Sequence, residues 1–599
     1  MIRVADYIAD FIVEKGVRHA FIISGGGIMH LTDGIACKPE LEAICCHHEQ
    51  ASSMALEAYS RISENFGVGY FTTGPGATNA LTGLAGAWLD SVSCMFISGQ
   101  VKRKDTIYNA KIPGLRQFGV QEVNIIPIVE SVTKYAVMIN EPEKIRYHLE
   151  KAFYLAKTGR PGPVWLDIPL DVQGALIEPE NLEGFEGPEN SVEIDTELLE
   201  RVAKLLMESS RPVILAGQGI RLSGAMDSLQ NLCEKYRIPV VTSYLGVDVI
   251  DNDSPYFTGR IGIKGDRAGN FAVQNSDLLV VIGSSLPVAE TGYEYSLFAR
   301  EANIVVVDID VSSHLKKSID IDLLIQGDAN DFIVRLNRLL KPEKIDGKNS
   351  WLDTCIRWRS KYPACLPTYR NTKGNINVYC FFDKLSELCE PDEIIVTDTG
   401  SSLYAGSQCI RIKKGMRYIT SGGLATMGYS LPASIGASLV HNKKRIMCIN
   451  GDGSFQQNIQ ELQTVVHYGL PIKIFVLNNE GYLSIRTTQI THFENRLIGE
   501  SKESGVSFPD LEKIAYAYGI KFFRVCENSK MEDVLKETLE YSGPVICEIV
   551  CPKNQLIVPT VASEKLKDGT MRSKPLEDMY PFLERDEFKK EMIIDTIND

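Results

Sequence analysis

Basic side chains are the scarcer charge here: 63 Lys and Arg stand against 77 Asp and Glu, a net charge of −14 over 599 residues. A general nucleic-acid face or a surface for anionic membranes needs the opposite balance, so neither partner is expected. Long apolar runs are missing as well; no stretch approaches the roughly 20 apolar residues that span a bilayer. The opening MIRVADYIADFIVEKGV carries charges along its length, with Val4, Tyr7, Ile8, Phe11 and Ile12 at helical spacing. It reads as an amphipathic helix, not a leader peptide. The 14 cysteines form no CxxC pair. Scattered in this way, apart from adjacent Cys45 and Cys46, they predict reduced, mostly buried thiols in a cytoplasmic protein and no zinc site. What remains is ordinary globular composition, 44% apolar and 23% charged, which excludes disorder, collagen and coiled coil. At roughly 100–200 residues per domain, three or four domains are expected.

Short apolar runs alternate with helical patterns in three blocks. Residues 1–178 hold HAFIISGG, GVGYFTT, CMFISGQ and PVWLDIP; residues 196–345 hold RPVILAGQG, IPVVTSY, DLLVVIGSS and NIVVVDID; residues 370–555 hold EIIVTDTGSS, RIMCINGDGS, IKIFVLNN and VICEIVCP. Buried strands alternating with helices predict an α/β chain of three doubly wound parallel-sheet domains. The acidic, Pro- and Gly-rich stretch 175–195 reads as a linker. A lysine-rich stretch, Lys341–Lys348, closes the second block, and 556–599 reads as a tail lying over the body. The first and third blocks match in size and style, which hints at duplication of one module.

The sharpest chemistry lies in 445–479. A strand runs into Gly451-Asp452-Gly453-Ser454, a helix follows, and a second strand stops at Asn478-Asn479, with Asn479 27 residues after Asp452. A right-handed βαβ crossover puts both strand ends on one edge of the sheet, where ligands bind. Glycines and a helix N-terminus suit an anion. One carboxylate and one amide oxygen suit magnesium that takes further ligands from phosphates. Taken alone, GDG is an ordinary tight turn; the Asn pair on the neighbouring strand makes it a site.

GDGSFQQNIQELQTVVHYGLPIKIFVLNN resembles the thiamine-diphosphate-binding motif. CHHEQASSMALEAYSR, TTGPGATNALTGLAGAWLDSVSCMFISGQV, GRPGPVWLDIPLDVQ and TSGGLATMGYSLPASIGA look like the acetolactate synthase branch of that enzyme family. The likeness runs to about residue 555 and implies domains of the thiamine-diphosphate-enzyme type: 1–178 for the pyrimidine, 196–345 Rossmann-like, 370–555 for the diphosphate and Mg2+. It implies that Asp452, Asn479 and the Gly481 carbonyl hold the metal. Glu49 would share a proton with the pyrimidine N1′, its charged form disfavoured in an apolar pocket. Met427 would push between the cofactor rings, Ala425 would hold the pyrimidine through its backbone, and Gln121 would face the reacting carbon. Thr399, Gly400, Ser401 and Ser402 match a second diphosphate cradle. Gly25, Pro75, Asn79, Gly451, Gly453, Ser454, Tyr482 and Leu483 complete the cofactor-binding set, and Gly76 and Asn79 would shape the pocket through the Gly-Pro-Gly turn. His47 and His48 have proton shuttling and structure as open alternatives. In the family, the first block of one subunit faces the third block of another, which implies a homodimer or homotetramer.

The implied reaction is decarboxylation of a 2-oxo acid, usually pyruvate, and transfer of a two-carbon unit to a carbonyl acceptor. Simple decarboxylation is the alternative. Three departures bear on it. Where acetolactate synthases carry a Gln-Trp, this chain has Gly481-Tyr482-Leu483-Ser484-Ile485-Arg486-Thr487-Thr488-Gln489. That segment predicts a polar, cationic acceptor pocket, with Arg486 pairing an anion, as for a keto-sugar nucleotide. The arginines that flank flavin in related chains are replaced around Gly283–Glu290, although Gly217-Gln218-Gly219, Asp308-Ile309-Asp310 and Gly327-Asp328 survive; bound FAD stays open. The tail, with PLEDMYPF near its end, resembles that of branched-sugar-forming members and is expected over the active site, excluding water.

Overall fold

The computed structural model describes residues 1–63, 65–188, 192–340, 348–565 and 570–597. Most of the lysine-rich stretch Lys341–Lys348 and part of the tail segment Lys565–Arg572 fall outside them. Strands β1 (His19–Ile22), β2 (Glu42–Cys45), β3 (Gly67–Phe71), β4 (Cys94–Gln100), β5 (Tyr135–Met138) and β6 (Val164–Pro169) form one sheet in the order 2-1-3-4-6-5. The middle domain orders β7 (Pro212–Ala216), β8 (Val240–Thr242), β9 (Phe257–Arg260), β10 (Leu278–Ile282), β11 (Asn303–Asp308) and β12 (Leu323–Gln326) as 9-8-7-10-11-12. The third sheet holds β13 (Ile394–Thr397), β14 (Arg417–Ile419), β15 (Ile446–Gly451), β16 (Ile472–Asn478), β17 (Lys521–Val525) and β18 (Val545–Val550), ordered 14-13-15-16-18-17. Every pairing in these three sheets is parallel.

The sequence accounts for this. β10 is Leu-Leu-Val-Val-Ile and buried throughout, as a strand covered by helices on both faces must be. The two outer sheets share one strand order, so the similarity of the first and third blocks is a shared topology. The middle order is that of a dinucleotide-binding fold, whose crevice opens between its first and fourth strands.

The outer domains meet through two helices, Glu49–Ser63 and Ser430–Val440. A Cβ on Gly436 would lie 2.0 Å from the Ala55 carbonyl oxygen, so only glycine permits this approach. The seam is ionic as well as apolar. Arg61, Glu57 and Asp90 have side chains 7, 2 and 0% exposed. Arg61 Nε donates to Glu57 at 2.5 Å and Nη2 to Asp90 at 2.5 Å, while Tyr429 Oη donates to Glu57 at 2.5 Å. Arg417 ties in the middle domain through Asp248 at 3.1 Å.

The helix Lys348–Lys361 belongs to the middle domain, with Trp351 Nε1 donating to the Pro212 carbonyl at 3.0 Å. The tail, expected over the active site, runs along that same domain in this chain. Leu576, Met579, Phe588 and Ile594 are buried, and Glu577 pairs with Arg300 at 2.7 Å. Trp358 Nε1 donates to Glu591 at 2.7 Å. Its apolar side chains find an open face there. Among the described residues no helix is long and apolar enough to cross a membrane. Among the described residues no cysteine is in a disulfide; Cys37, Cys45 and Cys526 are exposed and the others buried.

Candidate active site

Three adjacent strands of the third sheet, β13, β15 and β16, end side by side. Their C-terminal ends carry Thr399–Ser402, Gly451–Ser454 and Asn478–Leu483, so the predicted phosphate and metal residues share one edge. Asp452 is 6% exposed and begins the short helix Asp452–Phe455. It accepts from the amide of Gly453 at 2.8 Å and of Gly481 at 3.0 Å. Burial pushes its carboxyl up to about 6, against those amides. Asn479 is 4% exposed, and its Oδ1 is buried without a hydrogen-bond partner. A buried orphan acceptor costs about 1–3 kcal/mol unless something satisfies it. A divalent ion between this oxygen and Asp452 would do so, and the donor set is the hard, oxygen-only one magnesium takes. Glu480 and Gly481 turn the loop with φ +57° and +152°. Tyr482 packs edge-on against Phe508 and over Gly453, and Leu483 is buried at the start of the helix Leu483–His492.

On the neighbouring strand end, Gly400 takes φ +69° and the helix Ser401–Cys409 begins. Ser402 Oγ donates to the Thr399 carbonyl at 2.9 Å. Free amides at a helix start suit phosphate oxygens.

Ala425 and Met427 sit on the loop 420–429. Ala425 holds φ +53°, a conformation an L side chain takes only when its surroundings impose it. Two aspartates not predicted as site residues impose it. Asp398, fully buried at the end of β13, accepts from the amides of Gly428 at 3.2 Å and Ser430 at 3.0 Å. Burial pushes its carboxyl up, and the Ser430 and Thr399 amides oppose that. Asp90 reaches from the first domain to the amides of Gly422 at 3.0 Å and Gly423 at 2.7 Å. Met427 is half-buried, with Gln457 Nε2 3.6 Å from its sulfur.

A second cluster forms at the C-terminal edge of the first sheet. Asn79 Nδ2 donates to Glu49 Oε2 at 3.0 Å. Gly76, after Pro75, faces Glu49 Oε1. Gln121 is exposed with φ +63°, its carbonyl oxygen pressed on Gly74. Gly25 abuts Thr72. The structure therefore brings Glu49, Asn79, Pro75, Gly25 and Gln121 together, but Glu49 is half-buried and its side-chain hydrogen bond is within its own domain. His48 Nδ1 accepts from the Gln50 amide at 3.0 Å at the start of the helix; the backbone amide of His47 donates to Glu461 at 3.0 Å, and its side chain is exposed.

Two expectations fail. The single helix after GDG is broken: non-helical Asn458 (φ −132°) interrupts it, because its buried Nδ2 donates to the Gly428 carbonyl at 2.7 Å. Arg486 does not line a polar acceptor pocket. It is 5% exposed and pairs with Glu500 at 2.5 Å. Thr487 and Thr488 donate their hydroxyls to helix carbonyls, Leu483 at 2.9 Å and Ser484 at 3.0 Å.

The middle domain opens a cavity of about 1500 Å³ at its crevice, lined by Gln218, Gly219, Gly283, Ser284, Asp308 and Asp328 among others. Glu290 stands there fully buried, accepting from Ser284 Oγ at 2.6 Å; burial pushes its carboxyl up to about 7.

Comparison with known proteins matches this architecture domain by domain. Residues 2–128 match the thiamine pyrophosphate enzyme N-terminal TPP binding domain, 199–336 the central domain and 398–549 the C-terminal TPP binding domain. The chain is thus a thiamine-diphosphate-dependent enzyme with three parallel-sheet domains. It is 34% identical over 570 residues to an acetolactate synthase large subunit of Porphyra purpurea, covering 93% of each chain. It is 31% identical over 577 residues to the acetolactate synthase isozyme 2 large subunit of Escherichia coli K12, covering 96% of this chain and 99% of that one. A Lactococcus lactis large subunit is 33% identical over 552 residues, covering 92% of each. The chain belongs to the acetolactate synthase-like branch of the thiamine pyrophosphate enzymes.

Proposed function

We propose that this enzyme decarboxylates pyruvate and transfers the two-carbon unit to the carbonyl of a second small 2-oxo acid. The observation that carries the reading is the convergence of buried Asp452, the orphan Asn479 Oδ1, Gly481 and the Ser401 helix start on one sheet edge. These residues fit a magnesium-bound diphosphate. Thiamine diphosphate, when bound, supplies an acidic ring carbon that adds to a carbonyl and takes up the electrons released as CO2 leaves. Asp452, Asn479 and the Gly481 carbonyl would hold the ion, and Thr399–Ser402 and Gly451–Ser454 the phosphates. Ala425 and Met427, on a loop fixed from both sides, would orient the rings, with Tyr482 and Leu483 closing the wall. Glu49 would hold and return the proton at the pyrimidine N1′, with Asn79 keeping its carboxylate in place and Gly25 and Pro75 against the cofactor. Gln121 would face the reacting carbon.

Glu49 and Asp452 belong to different domains, and Glu49 makes its hydrogen bond within the first. A homodimer in which one protomer's Glu49 meets its partner's metal edge accounts for both half-sites; a tetramer would pair two such dimers.

Inward-turned Arg486 and the occupied hydroxyls of Thr487 and Thr488 favour a small 2-oxo acid acceptor over a keto-sugar nucleotide. Incubated with thiamine diphosphate, Mg2+ and pyruvate alone, the protein is expected to form acetolactate. Acetaldehyde as the sole product would mark a simple decarboxylase; condensation only when a keto-sugar nucleotide is added would mark a branched-sugar enzyme.

The middle cavity supports a structural dinucleotide, FAD being the candidate. The strand order and the glycine turns at Gly217–Gly219 and Gly283 fit it. Burial disfavours the charged form of Glu290, which weakens its repulsion of a diphosphate. Acid-denatured protein is expected to release a yellow flavin joined to an adenine nucleotide, read by absorbance and mass spectrometry. A colourless supernatant without that nucleotide would remove FAD.

A further inference from the structure

Arg486 lies in the first turn of an exposed helix, yet its guanidinium points into the protein. Nε donates to Glu500 Oε2 at 2.5 Å. Nη1 donates to the carbonyls of Asn479 at 3.2 Å and Lys553 at 2.6 Å, and Nη2 to the carbonyl of Glu480 at 2.9 Å. One planar fork thus gathers a carboxylate and three backbone oxygens. Lysine, a point charge, could not reproduce that set. Glu500 is fixed in turn: Ser501 Oγ donates to it at 2.5 Å, and its carbonyl accepts the Tyr482 amide at 2.8 Å.

Gly481 is wedged between these two residues. A Cβ there would lie 2.1 Å from the Glu500 carbonyl oxygen and 2.3 Å from Arg486 Nη2. Two consecutive residues with positive φ, Glu480 and Gly481, make a turn that needs outside support. Arg486 holds the two carbonyls directly before Gly481. Asp452 holds the Gly481 amide from the other side.

We propose that Arg486, braced by Glu500, is a positioning residue that fixes the turn Asn479–Gly481 for the divalent ion. The inference rests on the reading that Asp452, Asn479 and Gly481 hold that ion. Residues behind metal ligands typically change metal affinity 10–100-fold when replaced. Arg486→Met is therefore expected to weaken Mn2+ binding by about tenfold or more, read by electron paramagnetic resonance with thiamine diphosphate present. Arg486→Lys restores part of the loss, and Glu500→Gln weakens binding in the same direction. Turnover of each variant recovers as the metal concentration rises, which a general loss of folding would not show. Asp452→Ala separates the two claims. If Asp452→Ala binds Mn2+ as tightly as the parent, the metal reading fails. If Asp452→Ala loses the ion while the Arg486 and Glu500 variants bind it at parental affinity, the positioning role alone is overturned. Should Arg486→Met not fold, judged by circular dichroism, Arg486→Lys and Glu500→Gln decide on the same terms.

Discussion

Glu49→Gln is expected to lower turnover by roughly 10²–10⁴-fold, the range spanned by a lost general acid–base group. Cofactor and metal binding should change little, because the residues proposed to hold the diphosphate and the ion lie on another domain. The substitution keeps the size of the side chain and an oxygen able to accept from Asn79, so the local packing at Gly76 and Pro75 has no reason to move. Turnover measured at saturating thiamine diphosphate and Mg2+, beside a calorimetric titration of the cofactor, separates the two effects; undiminished turnover would remove Glu49 from the mechanism. The same variant tests the shared site. Co-expressed with Asp452→Ala, it should form hybrid dimers in which one site carries both lesions and the other neither. About a quarter of parental activity is then expected from a statistical mixture of such dimers. Two inactive variants that stay inactive together would place both groups within one chain.

The second large effect concerns stability. Arg61→Met is expected to destabilise the protein by about 3–5 kcal/mol, since removing one partner leaves buried charge uncompensated. Glu57 and Asp90, 2 and 0% exposed, would face each other without their cation. Asp90 also holds the amides of Gly422 and Gly423, so the loop bearing Ala425 and Met427 should loosen together with the domain seam. Thermal unfolding should show a lowered midpoint, with weaker cofactor binding by the folded fraction. An unchanged midpoint would mean that the seam holds through its apolar contacts alone.

Much of this was legible beforehand. Apolar runs bounded by glycine and followed by helical patterns revealed all three parallel sheets, and the spacing of Asp452 and Asn479 placed both on neighbouring strand ends. Asp398 and Asp90 were hidden for a physical reason. Each accepts backbone amides from residues far along the chain, and an aspartate near the end of a strand or helix looks, in one dimension, like an ordinary cap. Arg486 was misread because its direction depends on Glu500, 14 residues later, and on carbonyls that carry no sequence signal. The break at Asn458 is of the same kind: local helix propensity yields to a buried amide that the Gly428 carbonyl requires.

The matching order of the outer sheets makes the helices Glu49–Ser63 and Ser430–Val440 counterparts, each following the second strand of its sheet. They meet where Gly436 approaches the Ala55 carbonyl. Two identical halves would have presented like chemistry on either side of that contact. In this chain the sides differ: an acid leads one helix, and a thioether-bearing loop leads the other. One strand order thus carries unlike side chains at equivalent places, and the shared topology alone does not make the two domains interchangeable.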